Sequence, residues 1–234
     1  MWIKICGITS LEDARAAVDA EADAVGFVFA ASPRRITPEA GREITRALPF
    51  NLEKIGVFVG SSLDEIAATF ETAGLTGVQL HGEYSPDHLL QLRARMKKKF
   101  LPVRVVYVVP YDRDAAIFAS HLQSLAGLPD NEQGPSVILV DTRIPGKAGG
   151  TGIPFDWAAA QGAFHKHAAN LRLIAAGGLH PENVRQAIKT MRPWGVDVSS
   201  GVESAPGRKD HRRVQQFIRV SRAAAVEFAE ATQR

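Results

Sequence analysis

Cysteine occurs once in the 234 residues. Cys6 closes the apolar run WIKIC and stands directly before Gly7, where the run breaks into a turn. A thiolate is a base as well as a nucleophile, although a lone buried cysteine commonly serves as a small hydrophobe. A carboxylate is placed in the same way. Asp141 closes the run VILVD, where partial burial favours the protonated form and use as an acid; a turn or helix-cap role is the ordinary alternative. Two such ends together offer the acid and the base that proton-transfer chemistry requires. Other run ends carry Ser32-Pro33-Arg34-Arg35, Gln79-Leu80-His81-Gly82, Gly177-Gly178 and Ser199-Ser200-Gly201. An arginine fork pairs with a carboxylate or phosphate through two parallel hydrogen bonds. Glycines allow backbone N–H groups to approach an anion, and a helix N-terminus adds a favourable dipole. AAGGLHPENV and VSSGVE supply both features, and GKAGGTG (146–152) is a third glycine loop. The seven histidines are scattered without metal-ligand spacing, so His81 reads as structural rather than catalytic.

Eight short apolar runs must position these ends: 2–6, 24–29, 54–59, 77–81, 103–109, 137–141, 171–176 and 196–200. Most are continuous rather than alternating, as expected of strands covered on both faces. Helical patterns separate them. Ser10 caps a helix over 11–22, and Pro38 after Thr37 opens a second. Ser62 precedes a third that closes on Gly74, Pro86 after Ser85 opens another, and Pro181 after His180 opens PENVRQAIKTM. Within 110–136, AAIFASHLQSLAG reads as a helix and LPDNEQGPS as an exposed loop; the last helix runs from about Asp210. Strand and helix repeated eight times without a break in composition indicate one α/β domain over 1–234, a single parallel eight-stranded (β/α)8 TIM barrel. An open doubly wound sheet is the competing architecture, but neither G-x-G-x-x-G nor GxxxxGK[ST] follows the first run. In a barrel the active site lies at the C-terminal strand ends, and loops after strands seven and eight commonly hold a phosphate.

Bulk composition narrows the classes further. At 45% hydrophobic and 23% charged residues the chain is that of a soluble globular protein. A net charge of +3 is too mild to imply nucleic acid. Lys97-Lys98-Lys99 reads as a solvated helix end; the cluster from Arg208 to Arg213 suits a loop and first turn near a phosphate, with plain surface the favoured reading for most of it. No apolar leader or stretch of ~20 apolar residues occurs, and one cysteine cannot form an internal disulfide; a cytoplasmic protein without a membrane partner is expected.

The strings KICGIT (4–9), DAVGFVF (23–29), SPRRI (32–36), GVFVG (56–60), VQLHG (78–82), LVDT (139–142), GGTG followed by FDW (149–157), AGGL with PENV (176–184) and VDVSSGVES with PG and KD (196–210) resemble, in this order, phosphoribosylanthranilate isomerase of tryptophan biosynthesis. The resemblance runs from residue 2 to about 220. It implies a (β/α)8 barrel performing an Amadori rearrangement of a phosphoribosyl aminoaldose to its ketose. It implies Cys6 as general base, Asp141 as general acid, Arg34 as the holder of the anthranilate carboxylate, and the backbones of Gly177, Gly178, Ser200 and Gly201 as the phosphate cradle. The partner is then a small phosphosugar, with no obligate protein partner. No cofactor is implied, because the iminium nitrogen of the ring-opened substrate is itself the electron sink. Lys4 shares the strand face of Cys6 by the period of two and is a candidate for lowering the thiol pKa. Ile153-Pro154 stands where the family often has a basic residue, and 110–136 is longer than is usual there. Related phosphosugar barrels with a pair of aspartates, a silent phosphate-binding barrel, and a thiol redox sensor are the competing readings.

Overall fold

The computed structural model describes residues 1–82, 91–92, 94–96, 103–111, 114–126, 137–141 and 156–232, with side chains to 228. Eight parallel strands close into a barrel in sequential order: β1 (Trp2–Ile5), β2 (Ala24–Val28), β3 (Glu53–Val59), β4 (Gly77–His81), β5 (Arg104–Pro110), β6 (Val137–Asp141), β7 (Arg172–Ala175) and β8 (Gly195–Val198). β1 pairs with both β2 and β8, which completes the ring. Helices Leu11–Asp19, Pro38–Thr45, Leu63–Thr72, Ala115–Ala126, Trp157–His167, Val184–Met191 and His211–Thr232 accompany the strands.

Apolarity on both strand faces has a direct structural reading here. Ile3, Ile5, Val25, Phe27, Ile138, Val140, Leu173 and Ala175 belong to one large core that includes the buried helix residues Ala14, Ile66, Phe70, Phe118 and Phe217. The alternate residues Trp2, Ala24, Ile55, Val106, Val137, Leu139 and Ile174 form a second, smaller core inside the barrel. Period-two alternation therefore fixes what reaches the interior. With Trp2 inside, Lys4 and Cys6 follow it inward; with Val137 and Leu139 inside, so does Asp141. The N-terminal end is closed by Trp2 stacked on Trp194 at 5.4 Å, with Arg104 over both rings and Arg172 over Trp194. Glu53 holds Arg104 through two hydrogen bonds of 2.5 and 2.8 Å.

Local signals set the helix starts. Ser10, Thr37 and Ser62 each accept a hydrogen bond from a first-turn amide, and Ser62 with Glu65 completes a capping box. Gly74 follows the third helix at φ +66°, the left-handed residue that ends it. Three boundaries differ from expectation by two residues or more. β8 stops at Val198, and Ser200–Val202 forms a short 3-10 turn, because Ser199 leaves extended geometry at φ −124°, ψ −85°. The helix after β7 starts at Val184 rather than Pro181, since the Asn183 side chain accepts from His180 N–H and donates to Gly178 C=O, holding 180–183 as a turn. The first helix ends at Asp19 rather than 22. The start of the helix expected from Pro86, the run Lys97–Lys99, the loop 128–136 and the glycine loop 146–152 with Ile153-Pro154 lie outside the described residues. Among the described residues no helix is long and apolar enough to cross a membrane.

Candidate active site

At the C-terminal mouth of the barrel lies a cavity of about 300 Å³. Cys6, Asp141, Arg34, Gly177, Gly178, Ser200 and Gly201 all line it. Cys6 sits one residue past β1 and is tied there by its N–H to Val198 C=O at 2.8 Å. Asp141 is the last residue of β6, separated from β1 by β7 and β8. Acid and base candidates thus come from different walls of one mouth. Gln79 and His81, on β4, are buried in the lining with their Nε2 atoms 3.0 Å apart.

Beneath the thiol is a group pairing that spacing alone left open. Lys4 and Asp197 are direct register partners of β1 and β8, and Lys4 Nζ donates to Asp197 Oδ1 at 2.7 Å. The lysine is wholly buried. Burial acts to push Lys4 down, but the charges of Asp197 and Cys6 outweigh it and hold the ammonium above its usual value. For Cys6 burial dominates. It pushes the thiol above its ordinary range, and the neighbouring Lys4 only opposes the shift in part. The expected thiol-lowering influence of Lys4 is therefore present but is the smaller effect. Gly26 makes the arrangement possible: a Cβ there would stand 2.7 Å from Cys6 Sγ and 3.2 Å from Lys4 Cε.

Arg34 leans over the end of β1, where a Cβ on Gly7 would meet its Cδ at 2.6 Å; Gly7 also takes φ +75°. Its Nε and Nη2 donate to the two oxygens of Glu203 at 2.7 and 2.6 Å. Lys209 Nζ donates to Glu203 Oε1 at 2.8 Å and to Ser199 C=O at 3.2 Å. Burial would raise the Glu203 carboxyl, but Arg34 and Lys209 together hold it below the usual carboxylate range. Lys209 is thus buried behind Glu203 and not surface.

The two late loops form the remaining rim. Gly177 and Gly178 are consecutive left-handed residues, at φ +77° and +65°. Gly201 is packed so closely on the preceding loop that a Cβ would fall 1.9 Å from Leu179 O. Arg213 Nε donates to Gly201 C=O at 3.1 Å, which steadies the turn from outside.

A sequence model of the N-(5'-phosphoribosyl)anthranilate (PRA) isomerase family matches residues 3–220. The chain belongs to the phosphoribosylanthranilate isomerase family. An isomerase of that name from Geobacter sp. (strain M21) is 46% identical over 217 residues, covering 92% of this chain and 95% of the relative. The crystal structure of phosphoribosyl anthranilate isomerase from Thermotoga maritima superposes with a TM-score of 0.80 at 37% identity, over 95% of this chain and 99% of that one. Another solved structure of such an isomerase, in complex with reduced 1-(o-carboxyphenylamino)-1-deoxyribulose 5-phosphate, gives 0.76 at 36% identity and the same coverage. As a phosphoribosylanthranilate isomerase the protein is an enzyme of tryptophan biosynthesis, built on a TIM barrel.

All seven site residues expected from the sequence of this isomerase reach one cavity. Three further residues escaped sequence reasoning. Asp197 and Gly26 sit in apolar strand runs and signal their role only through register. Glu203 has its only sequence signal in the string VSSGVE, where it stands two residues past Gly201.

Proposed function

We propose that the chain converts N-(5-phospho-β-D-ribosyl)anthranilate into 1-(2-carboxyphenylamino)-1-deoxy-D-ribulose 5-phosphate by general acid and base catalysis. The observation that carries this reading is the shared cavity: a thiol from the end of β1 and a carboxyl from the end of β6 line one mouth together with an arginine fork and two glycine loops.

In this scheme Asp141 protonates the furanose ring oxygen. The C1′–O bond breaks as the anilino nitrogen donates its lone pair, giving an open-chain iminium. Cys6 as thiolate removes the C2′ proton, the electron pair moves into the C1′–C2′ bond, and the iminium nitrogen is neutralised. The resulting enolamine tautomerises to the ketone. Burial makes Cys6 a thiol in the free enzyme near neutral pH. A cationic iminium beside it, with Lys4 below, lowers the cost of the thiolate in the complex, where the thiol gives up its proton to solvent before it takes the one from C2′. Arg34 binds the anthranilate carboxylate, and the backbones of Gly177, Gly178, Ser200 and Gly201 receive the phosphate.

Turnover of the aminoaldose by two variants tests the assignment. Asp141→Asn keeps shape but removes the acid; Cys6→Ser replaces the thiol with a far weaker base. Each is expected to lower kcat by ~10²–10⁴ while phosphate still competes for the site. Full activity in Cys6→Ser would remove the general-base role, and a normal rate in Asp141→Asn would remove the acid.

A further inference from the structure

Arg34 does not stand alone in the mouth. Its Nε and Nη2 are both engaged by Glu203, a residue 169 positions away in the chain. That bond pair uses the side edge of the guanidinium. The end edge, with one N–H on Nη1 and the second on Nη2, remains as another planar fork. Arg34 lines the cavity, and its side chain is only 13% exposed. Glu203 is more buried still, at 5%, and is shared with the wholly buried Lys209. Two cations against one carboxylate leave a single net positive charge, which matches one carboxylate of a ligand.

Lys209 extends the clamp in two directions. Its Nζ bonds the carbonyl of Ser199, directly before the Ser200-Gly201 turn, and its backbone N–H bonds Asp13 Oδ2 at 3.0 Å. The arginine is therefore fixed to the same backbone that forms the rim after β8.

We infer that Glu203 is a positioning residue: it holds Arg34 so that the free edge of the fork meets the substrate's aromatic carboxylate, and with Lys209 it joins this anchor to the loop after β8. The two anionic ends of the ligand are then read by one rigid unit. A long, unclamped arginine would have to be ordered on each binding event, at an entropic cost that Glu203 removes in advance. This inference rests on the reading that Arg34 takes the carboxylate.

The test compares two substrates, prepared from ribose 5-phosphate with anthranilate or with aniline, which differ only in that carboxylate. The quantity read is the ratio of their kcat/KM values. Arg34→Ala is expected to bring the ratio close to one; if it leaves the preference intact, the reading of Arg34 fails and this inference falls with it. Given that collapse, Glu203→Gln is expected to lower the ratio by about tenfold, within the coupling range of contacting residues, and to add nothing in the double variant with Arg34→Ala. Glu203→Asp preserves the charge but shortens the reach by one methylene, and it should show the same lost preference while remaining folded by circular dichroism. Equal losses on both substrates in the Glu203 variants, or normal preference in Glu203→Asp, would overturn the positioning role while leaving that of Arg34 in place.

Discussion

Lys4 Nζ stands 2.7 Å from Asp197 Oδ1, and the two form a charged floor to the barrel mouth, next to the only thiol in the chain. A buried pair of this kind is weak evidence for stability in itself, because each charge has lost its hydration. Its value here lies in what the ammonium does to the neighbouring sulfur. Lys4→Met strands the Asp197 charge and is expected to cost ~3–5 kcal/mol. Lys4→Met combined with Asp197→Leu removes both charges and should recover most of that loss. Denaturant unfolding of the two variants checks this. A double variant no more stable than the single one would show that the pair is needed for the fold itself.

The thiol supplies a pH prediction. Cys6 and Lys4 both hold their protons more tightly folded than unfolded. Their contribution to stability is thus complete below the unfolded thiol value of ~8.5, and it is lost as pH rises through the folded values. Alkylation of Cys6 follows the thiolate fraction, so its rate should climb with a midpoint above ~8.5. In the double variant with Met at 4 and Leu at 197, the midpoint reports the balance between losing an attractive ammonium and losing a repulsive carboxylate. Lys4 is the larger influence on the thiol, so the midpoint should move up. A wild-type midpoint at or below that of a free thiol would show that burial does not control the group.

The sequence made the barrel legible because most strands are continuous apolar runs and several of the helices between them open on cap residues, and both signals are local. Cys6, Asp141 and the glycine loops were legible for a related reason: they interrupt those runs. Lys4 and Asp197 were harder, since their partnership depends on β1 and β8 meeting across nearly the whole chain. Gly26 was invisible. Nothing local distinguishes AVGFVF from any other strand, and the need for glycine arises from Cys6 Sγ and Lys4 Cε on the neighbouring strand. In the cluster Arg208–Arg213 the surface reading fails at Lys209, the one buried residue of the six. Lys209 is buried because Glu203, in the antiparallel pair of Glu203–Ala205 with Arg208–Lys209, accepts its charge. Charge runs predict surface only where no opposite charge waits in the fold.

The last prediction concerns the phosphate end. Gly201 is closer to its neighbours than any side chain permits: a Cβ would fall 1.9 Å from Leu179 O and 3.0 Å from His180 Cβ. Gly201→Ala must therefore push the loop after β8 away from the loop after β7, which separates Ser200-Gly201 from Gly177-Gly178. Overpacking of this sort costs ~1–3 kcal/mol. If the cost falls on the cradle, kcat/KM for the phosphorylated aminoaldose should drop by about ten- to hundredfold. Competitive inhibition by inorganic phosphate should weaken in parallel. The dephosphorylated aminoaldose, which makes no use of the cradle, should be turned over by wild type and variant at nearly equal rates. Equal losses on both substrates would mean that Gly201 serves the fold alone and that the phosphate lies elsewhere in the mouth.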